Sequence, residues 1–122
     1  MLIFLAGISG LLAVAMGAFG AHALRGTLSA DSLALYQTGA LYHLVHAVAL
    51  FGAALLARDA ASDKLASWAG YAFFAGTVFF SGSLYLLAVT GQKWLGAVTP
   101  LGGTLFLIGW ALVAIAGWRS AT

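Results

Sequence analysis

The sequence predicts an all-α integral membrane protein: a four-transmembrane-helix antiparallel bundle with an interfacial helical segment before span two. Three observations carry this. Of 122 residues, 63% are hydrophobic and only 7% are charged, whereas a soluble domain carries about 25% charge. The charged residues are Arg25, Asp31, Arg58, Asp59, Asp63, Lys64, Lys93 and Arg119. Between them lie four apolar segments of about 20 residues or more, enough to cross a hydrocarbon core of ~30 Å. Trp68, Trp94 and Trp118 fall at the ends of those segments, as an aromatic belt requires.

Span one covers about 2–24. It has no Lys or Arg ahead of it, and its apolar run is too long for a signal-peptide core, although Ala21-His22-Ala23 resembles a cleavage site. Ser9, Ala13, Gly17 and Ala21 recur every four residues, a small-residue packing face. The polar connection 25–30 follows, and Ser29 or Asp31 can cap the next helix. From there to Ala57 is too long for a perpendicular crossing. Residues 32–38 are therefore read as interfacial, with Tyr36 and Gln37 at headgroup level, and 39–57 as span two.

The loop 58–64 leads to span three, about 65–90, where Ser67, Gly70, Thr77, Ser81, Tyr85 and Ala88 share a face. Phe79, Phe80, Leu86 and Leu87 point away from it. After a turn at 91–94, span four covers about 95–118. Pro100 lies near its start, where a missing N–H costs least. Gly102 and Gly109, one heptad apart, give span four a close-packing line. Gly39 does the same for span two. The whole chain, 1–122, is one domain.

Composition excludes several function classes. With no cysteine there is no disulfide, thiolate metal site or cysteine nucleophile. There is no glutamate and every aspartate lies outside the spans, so a relay built on a mid-membrane carboxylate is excluded. A net charge of +2, scattered along the chain, does not suggest nucleic acid. No catalytic constellation and no phosphate-cradling loop is present.

What remains is a polar set inside an apolar chain. On a helix, Gly39, Tyr42, His43, His46 and Ala49 share one side of span two, while Leu41, Leu44, Val48, Phe51 and Leu55 share the other. An imidazole facing hydrocarbon would forfeit its hydrogen bonds, so both histidines are expected to face protein. By depth, His22, Tyr42, His43, His46, Ser81, Tyr85, Thr99 and Thr104 converge on the side of the membrane that carries Arg25 and Lys93. Three readings compete. The set binds helices to one another; or it forms a ligand or lipid-headgroup site; or His43 and His46, one turn apart, ligate a metal or haem. The first is preferred, with His46 bonding Ser81, Thr104 or a carbonyl of a neighbouring span. No cofactor and no metal is expected. His22 turns inward only if span one ends or bends near Gly20.

The motifs Gly17-Ala-Phe-Gly-Ala-His-Ala-Leu24, Tyr42-His43-x-x-His46-Ala-x-Ala-Leu50, Phe80-Ser-Gly-Ser-Leu-Tyr85 and Leu95-Gly-Ala-Val-Thr-Pro-Leu-Gly-Gly103 resemble the domain-of-unknown-function 423 family. That family includes YgdD-like bacterial inner-membrane proteins and proteins similar to transmembrane protein 256. The resemblance covers nearly the whole chain. It implies a small polytopic membrane protein without an established activity, and it points to His22 and His46 as family positions.

The function expected is that of a structural or accessory protein, not an enzyme, working in the lipid bilayer as a homo-oligomer or with another membrane protein. The alternative is a small binder or carrier of a lipid or small molecule. Arg58, Lys64 and Arg119 lie on one side and Arg25 and Lys93 on the other. That bias favours both termini in the cytoplasm, and the resemblance implies a bacterial plasma (inner) membrane location.

Overall fold

The computed structural model describes residues 1–122 and is entirely helical. Helix α1 is Leu2–Phe19, continued by a π-helical turn at Gly20–Leu24. Helix α2 is Ala30–Leu56, α3 is Asp63–Thr90, and α4 is Thr99–Ala121, preceded by a 3-10 turn at Lys93–Ala97. All four are long and apolar enough to span a membrane. Consecutive helices pack antiparallel on one another, and α2 and α3 form the buried centre. The bundle is open: α1 and α4 do not touch, and α1 meets α3, and α4 meets α2, only lightly.

Helix boundaries follow local chemistry. Ser29 caps α2 by accepting from the Ser32 amide at 3.2 Å. Gly91 closes α3 with φ +71°, a conformation that suits glycine. Pro100 sits in the first turn of α4, as expected.

The lipid-facing side of span two is as read: Leu41, Leu44, Val48, Phe51 and Leu55 are all exposed. The interfacial segment is not separate. Residues 32–38 are the first turns of one continuous helix of 27 residues, about 40 Å long at 1.5 Å per residue, which overreaches a hydrocarbon core of ~30 Å. Tyr36 is not a headgroup anchor, being 1% exposed. Its ring lies against Gly20, where a Cβ would collide with it, and its hydroxyl donates to the Met16 carbonyl at 2.6 Å. A buried phenol needs such a partner. Taking up that carbonyl coincides with the change from α to π winding at Gly20.

Small residues set the close approaches, on α4 above all. A Cβ on Gly102 would strike the backbone of Phe80, and one on Gly109 would lie 2.5 Å from the Phe73 ring. In return Phe106 of α4 fills the space over Gly76 of α3. Phe80, expected to face lipid, is drawn into this seam. Gly39 is also tight: a Cβ there would lie 3.2 Å from the Leu84 side chain. Ser9 and Ala13 are buried on α1. Gly17 departs from the expected packing face: nothing lies within 4 Å of a Cβ placed there.

The end of the bundle bearing the loop 57–62 is tied to the end of α4. Ser62 is buried and donates to the Ala116 carbonyl at 2.9 Å. Its hydroxyl also contacts that of Ser120, which donates to Asp59 Oδ2 at 2.5 Å. The Ala61 amide adds a bond to Asp59 Oδ1 at 3.3 Å. These donors, Ser120 first, favour the carboxylate and hold Asp59 below its ordinary value. A group depressed in the folded state contributes stability above its unfolded value, about pH 3.9, and loses it as pH falls through the folded value. Thermal unfolding in detergent is therefore expected to be flat in its Asp59-dependent part near neutrality and to weaken below about pH 4. Asp59→Asn should remove that acid limb. An unchanged pH profile in the variant would refute the clasp.

Candidate functional site

The polar residues singled out by depth do not form one site. They separate into two clusters, one at each side of α2, because His43 and His46 are about 60° apart around the helix.

His46 faces α3 and α4 and is 4% exposed. The Trp110 indole donates to its Nε2 at 3.1 Å. An indole N–H only donates, so Nε2 is the acceptor and the proton sits on Nδ1, which donates to the Tyr42 carbonyl at 2.8 Å. Both ring nitrogens are thereby used. Around them the imidazole stacks on Phe106, with centroids 3.5 Å apart and planes 9° apart, and meets Phe73 and Trp110 at a tilt. Trp110 is otherwise 46% exposed: one edge reaches inward and the rest meets lipid.

The partners expected for His46 are engaged elsewhere. Ser81 is buried and donates to the Gly39 carbonyl at 2.7 Å, tying α3 to α2. Thr104 is exposed and bonds the Pro100 carbonyl of its own helix. Trp110 is mid-span, unlike the tryptophans at the span ends, and its position in span four leaves open whether it is buried or meets lipid. The signal that identifies it was its mid-span position, where an indole N–H needs an acceptor.

His43 faces α1 and α3 and is 6% exposed. Its Nδ1 lies 3.0 Å from the Tyr85 hydroxyl. The Tyr85 ring packs at 4.9 Å from that of Tyr36, whose hydroxyl bonds α1. One chain of contacts thus joins α1, α2 and α3. Beside His43 a groove of about 350 Å³ runs between α1 and α3.

Of the remaining candidates, Tyr42 belongs with His46, whose ring it stacks on at 5.8 Å, and Thr99 and His22 lie apart. Tyr42 is exposed at the rim, against Phe80 and Phe106. Thr99 shares a 2.6 Å bond with Ser83, fixing the start of α4 on α3. His22 is exposed. The helix does change at Gly20, but the π turn brings Gly20 and Leu24 inward and leaves His22 outside. Metal or haem ligation by His43 and His46 together does not fit this geometry. Their rings turn toward different helices, and His46 has no free nitrogen. No group of three His, Cys, Asp or Glu side chains comes together.

Removing the indole while keeping the imidazole leaves a buried acceptor without a donor. Trp110→Phe should cost about 1–3 kcal/mol. Adding His46→Phe should recover much of that, since replacing both partners strands neither. A double-mutant cycle read by thermal unfolding in detergent checks this. Additive losses would mean that the two side chains are not coupled.

The sequence profile of the family described as "Protein of unknown function (DUF423)" matches residues 16–103. The UPF0382 membrane protein YwdK of Bacillus subtilis is 47% identical over 114 residues, covering 93% of each chain. UPF0382 membrane proteins of Staphylococcus aureus and Staphylococcus epidermidis are 40% and 41% identical over 119 residues, covering 98% of this chain and 96% of theirs. No solved structure matches. Four membrane-length helices, the motif order and these full-length relatives agree: the chain is a membrane protein that belongs to the DUF423 family.

Proposed function

We propose that this protein is an accessory membrane protein without reaction chemistry of its own, which works by associating with a second copy of itself. The observation that carries this reading is on α1. Gly7, Gly10 and Gly17 each have nothing within 4 Å of a Cβ built there. A glycine inside a helix costs about 0.5–1 kcal/mol relative to alanine, and the chain's own packing makes no use of these three. With Ile3 and Val14 they fall at alternating spacings of four and three, the repeat along which two helices wrap. A concavity of about 440 Å³ borders the seam, walled by Leu44, Val48 and Phe51 of α2. Small residues let a second helix approach closely in a bilayer, where packing drives association. The absence of chemistry is supported by the internal use of His46, and by the finding that no enclosed polar side-chain atom lacks a partner.

The bacterial membrane-protein relatives support a plasma membrane location, and the charge bias supports both termini cytoplasmic. Native mass spectrometry in mild detergent, on protein whose sidedness has been fixed by terminal reporter fusions, is expected to give an oligomer with both termini inside. Gly10→Leu should shift it to monomer without lowering the unfolding midpoint of the chain. Gly109→Leu is unsuitable as this test, because it breaks the α3–α4 seam within one copy. A wild-type monomer at every concentration, or reporters on opposite faces, would defeat the proposal.

A further inference from the structure

Helices α1 and α3 meet at two levels and part between them. At one end the Leu2 side chain packs on Gly70, where a Cβ would lie 3.0 Å from it. At the other end Leu24, Tyr36 and Ala88 form one buried cluster. Between these closures lies the groove of about 350 Å³, within the ~300–1,000 Å³ typical of ligand sites. Ile8, Leu12 and Met16 form one wall, about 12 Å of helix, and Phe74, Val78 and Gly82 the other. Nothing lies within 4 Å of a Cβ placed on Gly82. A larger side chain at 82 would enter the groove without striking the fold.

The lining makes no polar demand on an occupant. Thr77 donates to the Phe73 carbonyl at 2.9 Å, and Ser81 to the Gly39 carbonyl at 2.7 Å. The His43 ring is met by the Tyr85 hydroxyl and by the Ser9 backbone. No enclosed polar side-chain atom lacks a partner. What fills the groove therefore needs no hydrogen-bonding group. Hydrocarbon gives both walls the dispersion contacts that a void would forfeit. A second helix, about 10–12 Å across, is too wide and too straight for a slot closed at both ends. A single flexible chain can bend in from the side.

Charge and depth say which chain. Arg25 directly follows Leu24 at one closure, and Lys93 lies on the same side of the membrane. Both are exposed. Asp31 is the one carboxylate on that side. Such a face attracts anionic headgroups. Arg25 stands thirteen residues from Leu12, about 20 Å along the helix. Half a bilayer, headgroups included, is also about 20 Å deep. A lipid with its phosphate beside Arg25 thus brings the end of an acyl chain to Leu12, in the middle of the groove.

We propose that this groove seats one acyl chain of an anionic phospholipid whose phosphate pairs with Arg25. The chain lies between Met16 and Gly82 and ends between Leu12 and Val78. The site goes beyond self-association. It is complete in a single copy and uses the opposite face of α1 from Gly7 and Gly10.

Protein purified in mild detergent is given equimolar phosphatidylglycerol and phosphatidylcholine with the same palmitoyl and oleoyl chains. Retention is read by native mass spectrometry. The chain should keep one lipid, with phosphatidylglycerol preferred at least fivefold. Gly82→Leu should lower retention tenfold or more with the unfolding midpoint and oligomeric state unchanged, and Gly117→Leu, at another open glycine on α4, should not. Arg25→Gln should remove the preference for phosphatidylglycerol while one lipid is still kept. Phosphatidylglycerol with a diazirine at the chain end should crosslink to 8–16 and 74–85, in the wild type and in Gly10→Leu alike. Equal retention of the two lipids by the wild type, full retention in Gly82→Leu, a changed oligomeric state in Gly82→Leu, or crosslinks confined to other segments would each overturn the proposal.

Discussion

In a bilayer core a polar group has no solvent to fall back on, so each one must be met inside the chain or cost several kcal/mol. The bond from Trp110 to His46 shows what that requirement does to this fold. Helices α2 and α4 barely touch, yet the 3.1 Å indole–imidazole bond joins them through the centre. The same nitrogen heterocycle is held from the other side by its own helix, at the Tyr42 carbonyl. Phe106, Phe73 and Phe80 close around it as an apolar collar. The aromatic residues of α3 and α4 are thus arranged about a polar contact, and their packing against Gly102, Gly109 and Gly76 follows from how closely the helices must come to make it.

A second consequence is that polar bonds and small residues do complementary work. Hydroxyls tie α3 to its neighbours at three levels: Ser81 to the Gly39 carbonyl, Ser83 to Thr99, and Ser62 to Ala116 and Ser120. Each is worth little alone, ~0.6 kcal/mol on average between membrane helices. Their geometric effect is larger, because each fixes the register of one helix against the next. α1 has fewer such ties. Tyr36 holds its end at Met16, and the rest depends on Ala6, Ser9 and Ala13 packed against α2. That leaves it free to splay from α3 and open the groove over His43.

Much of this was legible in the residues. The number of helices followed from apolar runs between charge clusters. The inward placement of His43, His46 and Ser81 followed from spacing, because lipid accepts Leu, Val and Phe but not His or Ser, whereas spacing misplaced Tyr42, which is exposed, and Phe80, which lies in the α3–α4 seam. Gly102 and Gly109 were recognisable as contact points because a bilayer removes the usual reason for helices to associate. Gly17 shows the limit: a small residue on a repeat reads the same whether it meets its own chain or faces outward.

The sequence by itself determined the membrane class, the helix count and the burial of His43 and His46, since these depend only on periodicity and the poor solvation of polar groups in hydrocarbon. The tertiary structure alone decided the partners. Sequence depth placed Ser81 and Thr104 level with His46, but depth does not specify rotation about the helix axis. The orientation of α4 about its axis is what presents the Trp110 indole N–H inward and Thr104 outward. The same holds for His43 and His46: one turn apart in sequence, they are separated by 60° of helix rotation, so one closes a core and the other opens onto a groove. Contacts between helices are set by that angle, which no single helix encodes.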